Sequence, residues 1–284
     1  MNLKSLYKAY YHQLYDAIKY LDQEAINRTG QSAIRLLNTN IDQLSALISL
    51  LIHVDETLPL IRCQGALGRF KKDFADLYLN YLEANLVKAH PELFDENREI
   101  GQILSHEEYL SKDRYAKSLH ELYLNTIHAT GKVVENHIND LNDDILRIKT
   151  NEYFQNLVNI YREHLQEADF DSLDLVLDEI YYNLSIFQGV KTIGGEFETD
   201  VVIKHLLTDV QHLKEMLVAR KLYHDTAKKL RFYGRMDDDL DRDLLGRMQS
   251  IESSLLHGGG YLDAFGDQLL SHLSKILWLD NPVV

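Results

Sequence analysis

The sequence of 284 residues is long enough to bury a substantial core, and its formal net charge is −14 at pH 7. Hydrophobic residues make up 45% and charged residues 26%, proportions typical of a globular protein. No apolar run approaches the roughly 18 residues that a membrane-spanning helix needs, and the polar-studded N-terminus is unlike a secretory signal. Cys63 is the only cysteine, so no intrachain disulfide can form and we expect a reducing, cytoplasmic location without a membrane contact.

The negative charge is concentrated in the middle of the chain. Residues 91–190 carry 8 basic and 20 acidic side chains, whereas residues 1–90 carry 10 and 9. A surface of this kind repels phosphate backbones and attracts basic surfaces. The distribution therefore predicts a protein partner and argues against a nucleic-acid partner, and it is compatible with a homo-oligomer.

Apolar residues recur at helical spacing along much of the chain. An unbroken ladder with spacings of three and four residues puts six branched side chains on one helical stripe: Ile34, Leu37, Ile41, Leu44, Ile48 and Leu51. Proline is rare, and no run of apolar and polar alternation rivals these ladders. The sequence therefore predicts an all-α protein of about nine or ten helices in antiparallel bundle packing, with no significant β-sheet.

The chain is predicted to contain two helical units. Residues 1–90 form an N-terminal three-helix unit, with helices from about 3 to 27, 31 to 53 and 59 to 88. Residues 91–284 form a larger acidic helical bundle. The segment 90–105 contains a proline and has little periodicity, so we expect it to be a hinge.

Two local features are predicted for the N-terminal unit. Tyr11, Tyr15 and Tyr20 lie beside the apolar stripe of the first helix, at a half-exposed rim where the phenol stays hydrated. Gly65, Ala66 and Gly68 lie inside the third helix, where small residues allow a neighbouring backbone to approach closely.

Four features are predicted for the second unit. Gly131 is expected to interrupt a helix, after which a new ladder runs from Val134 to Ile148. Thr150, Asp171 and either Thr199 or Asp200 are predicted N-caps. The stripes that follow the last two caps are predicted to face the core: Leu173, Leu177, Ile180, Leu184 and Phe187, then Val202, Leu206, Val210, Leu213 and Leu217.

A basic and aromatic run between 220 and 235 is the most unusual stretch and the predicted binding surface. Its candidate residues are Arg220, Lys221, Lys228, Lys229, Arg231, Tyr233 and Arg235. Basic and aromatic side chains together can hold phosphates and stack on bases, so nucleic acid remains an alternative ligand to protein here. A simpler account is that basic residues favour the C-terminus of one helix and the following aspartates the N-terminus of the next.

Two sets of residues have the chemistry of metal ligands. His205, Asp209 and His212 lie on one helical flank, which we expect to face water, and zinc or iron would need a further ligand from another helix. The run from Asp237 to Asp241 resembles the DDxxD motif of prenyl synthases and terpene cyclases, which implies Asp237, Asp238 and Asp241 as magnesium ligands. The chain lacks a clear second acidic motif of that family, so the sequence predicts no cofactor.

Arg114 and His120 resemble the loose Arg-x(4–6)-His pattern of HEPN-fold ribonucleases. The resemblance implies an all-α, metal-independent enzyme in which the histidine acts on the 2′-hydroxyl or the leaving oxygen and the arginine steadies the phosphate. Cys63 is expected to be a buried, inert thiol. Because no strong catalytic constellation is present, the preferred hypothesis is a non-catalytic interaction or adaptor protein, with the ribonuclease as the alternative.

Overall fold

The computed structural model is all-α, as predicted, and eight of its helices have defined bounds. It describes residues 3–27, 31–57, 60–89, 120–187, 196–234 and 236–257, with helical residues also between 102 and 115 and between 264 and 277. The helices are α1 (Leu3–Asn27), α2 (Gln31–Val54), α3 (Ile61–Ala89), α4 (His120–Asp140), α5 (Asp143–Glu167), α6 (Phe170–Ser185), α7 (Glu196–Phe232) and α8 (Asp238–His257). Within these described residues there is no strand, and no helix is long and apolar enough to cross a membrane. Most of the predicted hinge, 90–105, lies outside the described residues.

Helix α2 lies at the centre of the main core. The six residues of its predicted stripe are all at most 2% exposed. Leu47 and Leu50 are also fully buried, because α2 contacts α1, α3, α5 and α6 and is covered on more than one side. The stripe prediction is confirmed, but the buried face of this helix is wider than the predicted stripe.

The predicted rim position of two tyrosines on α1 is wrong. Tyr11 and Tyr15 are buried, whereas Tyr20 is 64% exposed. Helix α1 contacts α4 and α5 as well as α2, so both flanks of its apolar stripe are covered. The Tyr11 hydroxyl remains satisfied in this interior because it donates a hydrogen bond to the carbonyl oxygen of Ile127 at 2.7 Å.

The close approach predicted at Gly65 and Gly68 is also wrong. A Cβ atom added at either position would have no neighbouring atom within 4 Å. The close approach occurs at Gly131 instead, which lies inside the uninterrupted helix α4 and faces the ring of Tyr11. The glycine therefore permits contact between α1 and α4 and does not break the helix, contrary to the prediction.

The predicted ladder from Val134 to Ile148 crosses a helix boundary. Helix α4 ends at Asp140, and Asn142 caps α5 by accepting hydrogen bonds from the backbone amides of Asp144 at 2.8 Å and Ile145 at 3.4 Å. Ile145 and Ile148 are exposed because the new helix restarts with a different phase. Thr150, which was predicted to be a cap, lies inside α5.

The remaining caps differ from the predictions by a few residues. Asp169 caps α6 by accepting a hydrogen bond from the amide of Ser172, whereas Asp171 lies in the first turn. Helix α7 begins at Glu196, before the predicted caps Thr199 and Asp200. The core stripe of α6 is confirmed, and so is that of α7 from Leu206 to Leu217; the side chain of Val202 lies outside the described residues.

Helix α7 contributes to two separate apolar clusters. Its first half packs into the main core through the stripe that ends at Leu217. Its second half buries Tyr223, Ala227 and Leu230 in a smaller cluster with Leu86 of α3 and with Leu240 and Leu244 of α8. The buried face of α7 therefore changes from one side of the helix to another along its length. The second half of α7 attaches the α7–α8 hairpin to the C-terminal part of α3.

Candidate functional site

The predicted binding residue Arg220 is engaged within the chain. Its Nε donates to Glu252 of α8 at 2.7 Å, and its Nη1 donates to Asp171 of α6 at 3.1 Å. The guanidinium also lies over the ring of Phe170, 4.8 Å from the ring centroid. Arg220 therefore joins α7 to α6 and to α8.

Lys229 is the centre of a buried polar contact between α7 and α3. Its Nζ donates to Glu83 and to the side-chain oxygen of Asn80, the latter at 3.0 Å, and Glu107 lies 3.8 Å away. Glu83 is completely buried, and burial raises the pKa of its carboxyl although the Lys229 ammonium opposes the rise. Tyr233 donates its hydroxyl to Glu107. These contacts fix the end of the hairpin to the rest of the protein.

Arg231 pairs with Asp241 across the turn between α7 and α8. The Asp237 carboxylate accepts a hydrogen bond from the amide of Leu240 at 2.7 Å, at the start of α8. Basic side chains thus occupy the last turn of α7 and acidic ones the first turn of α8, which is the helix-terminus arrangement that the sequence suggested. Much of the positive charge of the run is neutralised internally.

Two candidate cations of the run project from its surface. Lys221 and Lys228 are exposed, and Arg235 lies outside the described residues. The structure therefore brings Arg220, Lys229, Arg231 and Tyr233 into intramolecular contacts and does not gather the six described candidates around a common ligand position.

The predicted metal ligands are not assembled into a site among the residues that the structure describes. His205 and His212 are exposed on α7, and Asp209 between them is half-buried. Asp237 accepts the hydrogen bond from the amide of Leu240, Asp241 pairs with Arg231, and Asp238 is exposed. In the described part of the chain, no group of three or more histidine, cysteine, aspartate or glutamate side chains could hold a metal ion.

The ribonuclease candidates cannot be placed together, since Arg114 and the side chain of His120 lie outside the described residues. Cys63 is fully buried, with its Sγ 3.6 Å from the Tyr11 hydroxyl. Burial raises the pKa of the Cys63 thiol, which disfavours the nucleophilic thiolate. The position of Cys63 agrees with the predicted inert thiol.

A charged seam that the sequence reasoning missed lies where α2, α3, α6 and α7 meet. We use this name for Asp42, Lys71, Asp174, Asp178 and Lys214. Asp42 lies 2.6 Å from the Nζ of Lys71, and Asp178 lies 2.6 Å from the Nζ of Lys214. Asp42 and Lys214 are both nearly inaccessible to solvent, with side chains 6% and 8% exposed. Ionised groups are seldom buried to this extent without partners. In each pair, the contact between opposite charges offsets part of the free energy lost when the two groups leave water.

Aromatic rings complete the environment of the seam. The Nζ of Lys214 lies 3.8 Å from the ring centroid of Tyr182 and 4.4 Å from that of Tyr181. The pKa of Tyr182 is raised by burial and by the nearby negative charge of Asp42 and Asp178. Both rings therefore remain neutral and provide an apolar and quadrupolar surface for the ammonium.

A sequence signal for part of the seam exists in hindsight. Aspartates at 171, 174 and 178 of α6 face cations at 220, 221 and 214 of α7. The beginning of this α6 run, at 171 and 174, faces 220 and 221 of α7, and its end, at 178, faces the earlier residue 214, which is the register of an antiparallel pair. Complementary charges at helical spacing on two consecutive helices could have indicated this contact, whereas nothing local to Asp42 or Lys71 identifies their partners.

The turn of the α7–α8 hairpin presents an exposed aromatic and acidic end. Phe232 is 84% exposed, and its ring packs edge-on against Tyr233 with centroids 5.3 Å apart. Gly234 has φ of +64°, a backbone conformation that glycine adopts without strain and that closes the turn. The carboxylates of Asp237, Asp238 and Asp239 follow at the exposed start of α8. We call residues 232–239 the hairpin end, of which Arg235 is not described.

No family model and no curated protein matches this chain. Among solved structures, the chain is similar to the CHAD domain from the plant Ricinus communis, with a TM-score of 0.58 and 13% sequence identity. The similarity covers 94% of this chain and 91% of that domain. At this identity the likeness shows the helical fold alone, and function has to be argued from the residues of this chain.

Proposed function

We propose that this chain is a non-catalytic interaction protein that holds a partner with a basic and apolar surface at its hairpin end. The observation that carries the proposal is the exposure of Phe232, at 84% the largest value among the large apolar side chains that the structure describes. Aromatic side chains of this kind often contribute much of the binding free energy at protein interfaces. A cytoplasmic adaptor role is the corresponding expectation for the whole protein.

The charge of the hairpin end supports a basic partner. Asp237, Asp238 and Asp239 are exposed next to the aromatic pair, and the chain as a whole carries a net charge of −14. Arg242 pairs with Asp239 at 3.1 Å but is itself exposed, so this contact is weak and open to competition by a partner. Acidic residues around an exposed aromatic group favour a partner that offers Lys or Arg beside an apolar pocket.

The internal contacts of the hairpin end also support a binding role. The pairs Arg231–Asp241 and Lys229–Glu83, together with the Asp237 cap, restrain the described residues on either side of the turn. A surface that is already ordered loses less conformational entropy when a partner binds. Phe232 itself is not needed for any of these contacts, so it can be replaced without removing them.

A photo-crosslinking amino acid at position 232 tests the proposal in cells. We expect it to capture a defined protein that the same amino acid at position 61 does not capture. Ile61 is the matched control because it is apolar and 77% exposed but lies on α3. The captured protein is then purified and titrated against wild type, Phe232→Ala, Asp238→Asn and Ile61→Ala.

We expect Phe232→Ala to weaken that complex at least about tenfold, since interface hot spots contribute more than ~1.4 kcal/mol. Asp238→Asn should weaken it less and should reduce its salt dependence. Ile61→Ala should leave the affinity unchanged. Equal capture at both positions, or an affinity that Phe232→Ala does not alter, would contradict the proposal.

A further inference from the structure

The charged seam contains more carboxylates than its close ammonium groups can satisfy. Asp42 has the ammonium of Lys71 and the side-chain amide of Asn38, which donates to its Oδ2 at 2.8 Å. Asp178 has the ammonium of Lys214. The buried Oδ1 atoms of Asp42 and Asp174 both lack a well-aligned hydrogen-bond donor among the described residues, but only that of Asp42 has an ammonium beside it, the Nζ of Lys71 at 2.6 Å. Asp174 is therefore the carboxylate of the seam that is left without a close counter-charge.

The charged groups around Asp174 come from α6 itself and from α2, α3 and α7. Asp178 follows it by one turn on α6, and Asp42 faces it from α2. Lys71 of α3 interacts with it weakly, and Lys214 and Lys221 of α7 oppose the two negative neighbours. Lys214 is already committed to Asp178, and Lys221 is exposed and screened by water. An ionised Asp174 consequently adds a third negative charge to a partly buried site.

The balance of these influences favours the neutral form of Asp174. Burial is the largest cause and Asp178 the second, and together they raise the pKa of the Asp174 carboxyl to about 6 although Lys221 and Lys214 lower it. A group of this kind changes its charge mainly between about pH 5 and pH 7, one unit on each side of that value.

We infer that the charged seam is a proton-responsive contact, in which proton uptake by Asp174 strengthens the packing of α6 against α2 and α7. With the proton bound, the seam holds two carboxylates against two close ammonium groups. With the proton lost, Asp174 repels Asp178 along α6 and Asp42 across the contact with α2. This inference does not depend on the hairpin end or on its proposed partner.

The sign of the pH dependence follows from the direction of the shift. The native state binds the Asp174 proton more tightly than the unfolded chain, in which an aspartate keeps its ordinary pKa of about 3.9. Between these two values the native state carries the extra proton, so the contribution of Asp174 to the free energy of unfolding falls as the pH rises from about 4 to about 6 and levels off above. A salt-bridged surface aspartate has the opposite dependence.

Chemical denaturation of wild type, Asp174→Asn and Asp16→Asn between pH 4 and pH 8 tests the inference. Asparagine is a neutral isostere of the protonated acid, so Asp174→Asn should have a higher denaturation midpoint than wild type at pH 8. The difference should shrink severalfold by pH 4. Asp16 is an exposed carboxylate on α1, and its variant should follow wild type at every pH.

Carbon-detected NMR titration of the Asp174 carboxyl in the wild-type protein gives an independent readout that does not require the variant to fold. We expect a titration midpoint near 6, and we expect amides of α6 to shift with the same midpoint. An ordinary aspartate midpoint would overturn the inference. It would also be overturned if Asp174→Asn were less stable than wild type by the same amount at all pH values, because Asp174 would then stabilise the seam in its ionised form.

Discussion

Replacing Gly131 by alanine tests the contact on which the packing of α1 against α4 depends. A Cβ atom at this position would lie 2.7 Å from Cε1 of Tyr11 and 3.3 Å from its Cδ1. Tyr11 is 1% exposed, and its hydroxyl is held by the carbonyl oxygen of Ile127 at 2.7 Å. The ring therefore cannot retreat without losing a buried hydrogen bond or displacing its neighbours.

Two destabilising effects and one stabilising effect determine the change in the free energy of unfolding. Adding a methyl group to a tightly packed interior destabilises a protein by about 1–3 kcal/mol, and weakening the Tyr11 hydrogen bond adds about 1 kcal/mol. Alanine also favours the helical backbone over glycine by about 1 kcal/mol. The net expectation for Gly131→Ala is a loss of about 1–3 kcal/mol in the free energy of unfolding.

Gly68→Ala is the matched control. Gly68 also lies inside a helix, but a Cβ there would meet no atom within 4 Å. Only the preference of alanine for the helical backbone remains, so the free energy of unfolding of this variant should rise by up to about 1 kcal/mol. Urea denaturation of the two variants and wild type measures the difference, and thermal melting should show shifts of a few degrees in opposite directions. If Gly131→Ala is stabilised as much as Gly68→Ala, the predicted contact with Tyr11 is refuted.

Three further substitutions test the core, the attachment of the hairpin and a helix cap, each by urea denaturation. Ile48→Ala should destabilise by about 2–5 kcal/mol because it leaves a cavity in the central helix of the main core, and a loss below ~1 kcal/mol would argue against that burial. Lys229→Ala should cost about 3–5 kcal/mol because it leaves the Glu83 charge buried without its partner, whereas Lys228→Ala should change stability by less than about 0.5 kcal/mol. Similar results for the two lysines would refute the ion pair. Asn142→Ala should cost about 1 kcal/mol through loss of the α5 cap, and an unaffected stability would show that the cap is unimportant.

The apolar stripes could be predicted because helical periodicity is a local property of the sequence. Each of the six residues from Ile34 to Leu51 repeats at the helical period, and a stripe of branched apolar residues has no stable alternative to burial. The same holds for the stripe of α6 from Leu173 to Phe187. For this reason the fold class and most helix cores followed from the chain without tertiary information.

Helix boundaries and flank burial were harder to predict because they depend on competing or distant interactions. The apolar spacing from Val134 to Ile148 continues across the break at Asn142, and only the capping hydrogen bonds distinguish that break from a continuous helix. Tyr11 is buried because α4 covers a flank of α1, which the sequence of α1 does not specify. Gly131 was predicted to interrupt α4 because glycine disfavours a helix, yet here the missing side chain leaves room for a neighbour.

The charged seam and the ion pairs of α7 show the limit of reading charge from sequence. A basic run gives the sign and density of charge, but it does not reveal whether Glu83 or Asp171 already neutralises a given cation. Likewise, Asp42 stands next to the apolar stripe of α2 with no local indication that Lys71 faces it. Such pairs arise only when helices distant in sequence are brought together.

These ion pairs also determine which substitutions can report on binding. Reversing the charge of Lys229 or Arg231 would disrupt contacts that hold the hairpin to α3 and close its turn, so a lost partner could not be separated from a displaced surface. Lys228 and Phe232 have exposed side chains outside those contacts, and substitutions there leave the scaffold intact. A partner that recognises the basic run should respond to Lys228→Glu, whereas one that recognises the hairpin end should respond to Phe232→Ala. The comparison of these two variants therefore decides between the surface that the sequence favoured and the surface that the structure favours.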